Sequence, residues 1–126
     1  MSLRTPLGRV RGLGSAKEGV SHWWAQRVTA VALVPLTLWF VISLLSVAHA
    51  DHETAVDWVS RPFNTVLLII LLITLFYHAQ LGMQVVIEDY VHAEGAKLAS
   101  LLLVKFVVIL LAASAILAVL RIAFGG

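Results

Sequence analysis

Three long apolar runs dominate this chain and leave little choice of fold. Val28 to Ala50 contains no Asp, Glu, Lys or Arg, Pro62 to Ile87 contains none either, and Leu98 to Leu120 contains only Lys105. At about 1.5 Å per helical residue, roughly 20 residues cross the hydrocarbon core of a bilayer. Each run meets that length. With no water in the bilayer core, a spanning segment must satisfy its own backbone, which leaves helices and closed barrels. Barrel strands run nearer ten residues and alternate in polarity, a pattern that is missing here. The composition agrees: 60% of the 126 residues are hydrophobic and only 13% are charged, too few to keep a domain of this size dissolved. The sequence therefore predicts an all-α membrane protein with three transmembrane helices, at about 21–48, 63–91 and 97–122. They form one anchor domain over residues 21–126, preceded by an N-terminal cytoplasmic segment over residues 1–20.

Local signals refine the helices. Ser21 is a reasonable N-cap for the first. Trp23 and Trp24 suit the headgroup level. Pro35 lies inside the first helix, where it removes one backbone hydrogen bond. Arg61-Pro62 opens the second helix, and Gly95 is expected in the turn before the third.

Charge placement sets an expected orientation. Arg4, Arg9, Arg11, Lys17 and Arg27 are five of the nine basic residues, and all lie at or before the start of the first apolar run. The first loop, His49 to Arg61, holds Asp51, Glu53 and Asp57 against one Arg. The positive-inside rule then places the N-terminus and second loop inside, and the first loop and C-terminus outside. The same rule accounts for the basic tail without nucleic acid. The tail is also Arg-rich and poor in acids, like an organelle presequence, but it is expected to be retained and to lie on a partner subunit. There are no cysteines, which excludes disulfides, iron–sulfur ligation and thiolate chemistry in this chain. No repeat and no Gly-rich phosphate loop is present.

Polar groups in hydrocarbon are costly, so each is a functional hypothesis. His78 is the most conspicuous. It lies about 22 Å into the second helix from Phe63, with about 15 Å remaining to Glu88. An imidazole there can hydrogen-bond a neighbouring helix, relay protons or bind a metal. At about 100° per residue, Gly82 lies roughly 40° from His78, and Leu71 and Val85 about 20° from it. The surrounding face is apolar and smooth. A proton relay would want further polar groups there, whereas a flat apolar ligand such as a porphyrin suits it. Gly82 is equally a common helix contact. His22, His49, His52 and His92 fall near segment ends, so a bis-histidine haem would need its second ligand from another chain.

At the inner end, Asp89 lies about 20° from His78 and Tyr90 about 120° away. Tyr90 reads either as an aromatic-belt anchor or as a phenol that hydrogen-bonds a quinone carbonyl. Glu88 and Asp89 read as a solvated helix end or as part of such a site. Arg27 reads either as a snorkelling side chain or as a partner for a carboxylate such as a haem propionate. His22 sits at the same boundary, and Lys105 is close enough to an end to snorkel.

The stretches "HAQLGMQVVIEDYV" and "GVSHWWAQRVTAVAL" resemble the hydrophobic membrane anchor (D) subunits of succinate dehydrogenase, respiratory complex II. The likeness runs from about Gly19 to the end. It rests on three helices in order, a second-helix histidine with Gly four residues on, Asp-Tyr closing that helix, and "R-x-T-A" at Arg27 to Ala30. The resemblance implies pairing with a second three-helix membrane anchor subunit, and docking of a flavoprotein and an iron–sulfur subunit on the inner face. It further implies that His78 is one axial ligand of a haem b shared with that second anchor, and that Gly82 and Arg27 lie beside the haem, Arg27 near its propionates. Tyr90, with Asp89, would contact ubiquinone. The expected location is a bacterial inner membrane, with the mitochondrial inner membrane as the alternative. Three competing readings are a fumarate reductase anchor, a structural three-helix assembly subunit without haem, and a small multidrug transporter protomer. The last usually carries a membrane carboxylate, and the apolar cores here have none.

Overall fold

The computed structural model describes residues 18–125 and the isolated Pro6. The expected contact of the basic tail with a partner subunit concerns residues that, Pro6 apart, lie outside those described. Four helices follow one another: α1 (Glu18–Val47), α2 (His52–Ser60), α3 (Pro62–Tyr90) and α4 (Glu94–Ala123). Three of them, α1, α3 and α4, are long and apolar enough to cross a membrane. At 29 or 30 residues each, they would run about 45 Å, more than the hydrocarbon core of about 30 Å. Their ends therefore reach the headgroup region.

Two local expectations are corrected. Ser21 does not cap α1, which is already helical at Glu18. Polar residues at the interface extend a helix as readily as apolar ones inside it, so the start of the apolar run does not mark the start of the helix. Gly95 is not in the last turn either. It is the second residue of α4, and the connection is only Val91, His92 and Ala93. Pro35 lies within α1 as expected, and the helix continues through it.

The first loop differs more. Much of it is a nine-residue helix, α2, where the acidic sequence suggested only a loop. Asp51 caps it by accepting a 2.9 Å hydrogen bond from the Thr54 backbone N–H, which satisfies one of the free donors at a helix start. Hydrogen bonds from Thr54, the side chain first and then the backbone, hold the Asp51 carboxyl below its ordinary value. Val56, Trp58 and Val59 turn inward while His52, Glu53 and Asp57 stay exposed. Trp58 stacks on Trp39 of α1, with ring centroids 5.6 Å apart and planes at 24°. Asn64 donates to the Trp58 carbonyl at 2.8 Å and Thr65 to the Val59 carbonyl at 2.6 Å, while the Ser60 hydroxyl donates to the Val56 carbonyl at 2.7 Å and lies 3.3 Å from the Ile122 carbonyl of α4. Asn64 and Thr65 are buried, and these bonds are what make that burial tolerable. The α2 end of the bundle is thus tied together by polar contacts.

Between the ends, α3 is the middle element and packs against both α1 and α4. All four buried apolar side chains of the described residues, Leu68, Leu71, Leu81 and Ile87, belong to it. No described residue of α4 is buried. In water such a chain would fail for want of a core. In a membrane, lipid tails are as apolar as leucine, and outward-facing apolar residues carry no penalty. An apolar cleft of about 520 Å³ opens among Thr37, Phe40, Leu68, Leu72 and Ala115, on the α2 side of His78.

Candidate functional site

The three-helix layer brings α1 and α3 together antiparallel, and this sets the surroundings of His78. Thr29 is about 16 Å along α1 from Glu18, and His78 is about 18 Å back along α3 from Tyr90. The two residues therefore sit at the same level, and the Thr29 hydroxyl oxygen lies 2.9 Å from His78 Nδ1. The same oxygen is 2.7 Å from the Ala25 carbonyl and 3.1 Å from that of Gln26. Thr29 is the one buried residue of α1 among those described. Thr29 belongs to the R-x-T-A motif, which by itself assigns it no role. Its contact depends on how α1 is rotated against α3, which no spacing within either helix reveals.

The other side of the imidazole is open. Among the described residues Nε2 makes no hydrogen bond, and it is not a buried unpartnered atom. A Cβ built on Gly82 would meet nothing within 4 Å, so this glycine is not a contact between helices of this chain. Val85 and Asp89, both exposed, continue the strip from Gly82 to the end of α3. His78, Gly82, Val85 and Asp89 thus form one uncovered surface.

The remaining site residues lie apart. Tyr90 is 78% exposed in the last turn of α3, about 18 Å from His78 along the axis. Arg27 is exposed, with its guanidinium 5.4 Å from the centre of the Trp23 ring, a cation–π distance. It projects about 160° around α1 from Thr29, so this chain does not bring it to His78. A polar ladder also runs along α3 toward its end. Gln80 donates to Gln84 at 3.5 Å, and Gln84 donates to Glu88 at 3.1 Å. Gln84 and Glu88 line a cleft of about 260 Å³ with Gly19 and His22. Both His22 Nε2 and Gln26 Oε1 are buried without a partner. The i, i+4 spacing of Gln80, Gln84 and Glu88 was the available signal.

No group of three or more His, Cys, Asp or Glu side chains gathers among the described residues. The described residues therefore do not supply a full ligand set at His78, and a metal there would need a carrier or another subunit for the rest. His78 meets a haem's need for an axial nitrogen, and the open apolar surface beside Gly82 suits a porphyrin face.

The fold and site define a class: a polytopic helical membrane protein with a histidine in the interior of its central helix, bonded on one side by its own chain. The comparisons with known proteins narrow the class. The chain belongs to the succinate dehydrogenase/fumarate reductase transmembrane subunit family, whose model matches residues 1–112. It is 39% identical over 116 residues to the succinate dehydrogenase hydrophobic membrane anchor subunit of Rickettsia bellii, covering 92% of this chain and 93% of that protein. The subunit of the same name from Paracoccus denitrificans is 34% identical over 102 residues, 81% of this chain and 79% of its own. The succinate dehydrogenase membrane anchor subunit of Reclinomonas americana is 32% identical over 96 residues, 74% and 80% of the two chains. The resemblance read from the histidine, glycine and Asp-Tyr motif is thereby borne out. With three apolar spans and bacterial anchor homologues, the chain is a multi-pass protein of a bacterial inner membrane. As an anchor subunit, it is one part of a larger complex.

Proposed function

We propose that this chain is the membrane anchor and cytochrome b subunit of a succinate:ubiquinone oxidoreductase. The observation that carries the reading is His78, bonded through Nδ1 to Thr29 of α1 while Nε2 makes no hydrogen bond among the described residues, one turn from the open position at Gly82. In this reading His78 would hold a haem b through a ring nitrogen, and a second three-helix anchor subunit would supply the remaining protein ligand. Gly82 leaves room for the macrocycle by having no side chain. Arg27, at the inner boundary, offers a guanidinium to propionates between subunits. When bound, the haem provides a one-electron reservoir beside the quinone site.

Tyr90 and Asp89 form part of the ubiquinone site. The Tyr90 side chain is exposed in the last turn of α3, the end that the charge placement puts inside, where its hydroxyl would donate a hydrogen bond to a quinone carbonyl. The flavoprotein and iron–sulfur subunits dock on that inner face. Succinate oxidation takes place in those chains, and this one receives its consequence, electrons arriving at quinone. A fumarate reductase anchor would use the same parts with electron flow reversed, a direction set by the quinone's potential.

A specific observation also favours a second reading. The Thr29–His78 contact is what a histidine used only for helix packing would make, as in a structural assembly subunit. Purification of the tagged chain in mild detergent separates the two. The expected result is a red complex with a b-type spectrum containing a second anchor, an iron–sulfur and a flavoprotein subunit. A colourless complex of the same subunits would support the structural reading.

A further inference from the structure

The hydroxyl of Thr29 has one hydrogen and three neighbours that could receive it. The shortest contact, 2.7 Å, is to the Ala25 carbonyl one turn back, the back-bond that Thr makes habitually inside helices. With its hydrogen donated there, the oxygen would act as the acceptor at 2.9 Å from His78. The proton of a neutral imidazole would then sit on Nδ1 and the lone pair on Nε2, the ring nitrogen that makes no hydrogen bond among the described residues. We propose that Thr29 is a positioning residue, which selects the Nδ1–H tautomer of His78 and so presents Nε2 as the ligating atom. This rests on the reading of His78 as a haem ligand.

Two further observations support the assignment. Thr29 is buried at 8% exposure, so water does not compete readily for the Nδ1 proton. Among the described residues, this is the only hydrogen bond between α1 and α3. The ring is therefore pinned by a second helix rather than by its own. Metal-ligating histidines generally donate their other ring N–H to an acceptor, which fixes the ring and raises the basicity of the ligating nitrogen. A neutral hydroxyl whose own hydrogen is already committed fills that role without bringing a charge into the membrane, where a carboxylate would be costly.

The sign of the effect follows. An acceptor on Nδ1–H makes Nε2 a better donor and favours ferric over ferrous iron. Thr29→Val keeps the shape and removes the acceptor. In the purified complex, the haem of this variant is expected to have a higher reduction potential and altered low-spin electron paramagnetic resonance positions. Haem affinity is expected to fall about tenfold to a hundredfold, the usual cost of losing such a partner. Thr29→Ser, which keeps the hydroxyl, is expected to restore all three. If the Thr29→Val complex forms with wild-type potential, resonance and haem content, Thr29 only packs and the proposal is overturned. A measurement on the unaltered full chain guards against a variant that does not assemble. In haem-free protein labelled with ¹⁵N-histidine, with the His78 signals identified by their loss in His78→Leu, Nδ1 is expected to carry the proton. A proton on Nε2 overturns the proposal. A wild-type complex without a haem spectrum would instead remove the underlying reading, a failure distinct from either of these.

Discussion

Tyr90 separates two roles by a single oxygen atom. As a quinone contact its hydroxyl carries the function, and as an interfacial anchor its ring does. Tyr90→Phe removes only the former. A net hydrogen bond contributes about 0.5–1.5 kcal/mol, and an acceptor left unpaired raises the loss to roughly 3 kcal/mol. At about 1.4 kcal/mol per tenfold, quinone reduction is expected to fall between about twofold and about a hundredfold. Succinate oxidation measured with an acceptor that takes electrons upstream should be unchanged. An equal fall in both rates would make Tyr90 an assembly residue, and no fall in either would leave it an aromatic anchor. The residues legible in the sequence were those that are anomalous where they stand: an imidazole at depth, a glycine in a helix interior, acids and a phenol at a helix end. Thr29 was not legible, since a threonine inside a transmembrane helix satisfies itself on its own backbone and draws no attention. Only the rotation of α1 against α3 makes it the partner of His78.

At the scale of the elements, α2 shows what apolar patterning misses. It is nine residues long with its polar face outward, so hydropathy registers an acidic loop. Its signature was the cap, Asp51 three residues before Thr54, followed by Val56 and Val59 at helical spacing. The Asp51 carboxyl is held below its ordinary value by Thr54, so the cap is fully present above the unfolded value of about 3.9 and is lost as pH falls through the lower folded value. Amide exchange in α2 is therefore expected to accelerate below about pH 4 relative to α3. In Asp51→Ala, α2 should exchange fast already at neutral pH, with little further change on acidification. Wild-type protection that persists well below the folded value would show that Trp58 and Ser60, not the cap, hold α2.

For the whole molecule, the three spans were legible because hydrocarbon demands twenty or so apolar residues whatever the protein does. Their arrangement was not, because each helix is apolar on nearly every face, and hydrophobicity gives no hint which faces meet. The structure makes α3 the centre, flanked by α1 and α4, and leaves broad apolar surfaces outward for lipid and partner helices. Orientation rests on charge alone. The positive-inside rule expects the basic tail inside and the acidic α2 segment outside, so a reporter fused after Gly126 is expected to be active only on the outer side. Activity inside would invert the bundle and put Tyr90 on the wrong face for an iron–sulfur subunit docked within.

These scales meet at His78, which belongs to α3, is bonded to Thr29 of α1 and lies beside a surface at Gly82 that this chain leaves uncovered. The most direct measurement is the reduced-minus-oxidised absorption spectrum of the purified complex carrying His78→Leu, beside that of the wild type. Leucine is apolar and inserts readily in a membrane helix, so the subunits are expected to assemble while the b-type absorption disappears or shifts strongly. An assembled His78→Leu complex with the wild-type spectrum would contradict ligation by His78 and leave this histidine a hydrogen-bonded contact between two helices.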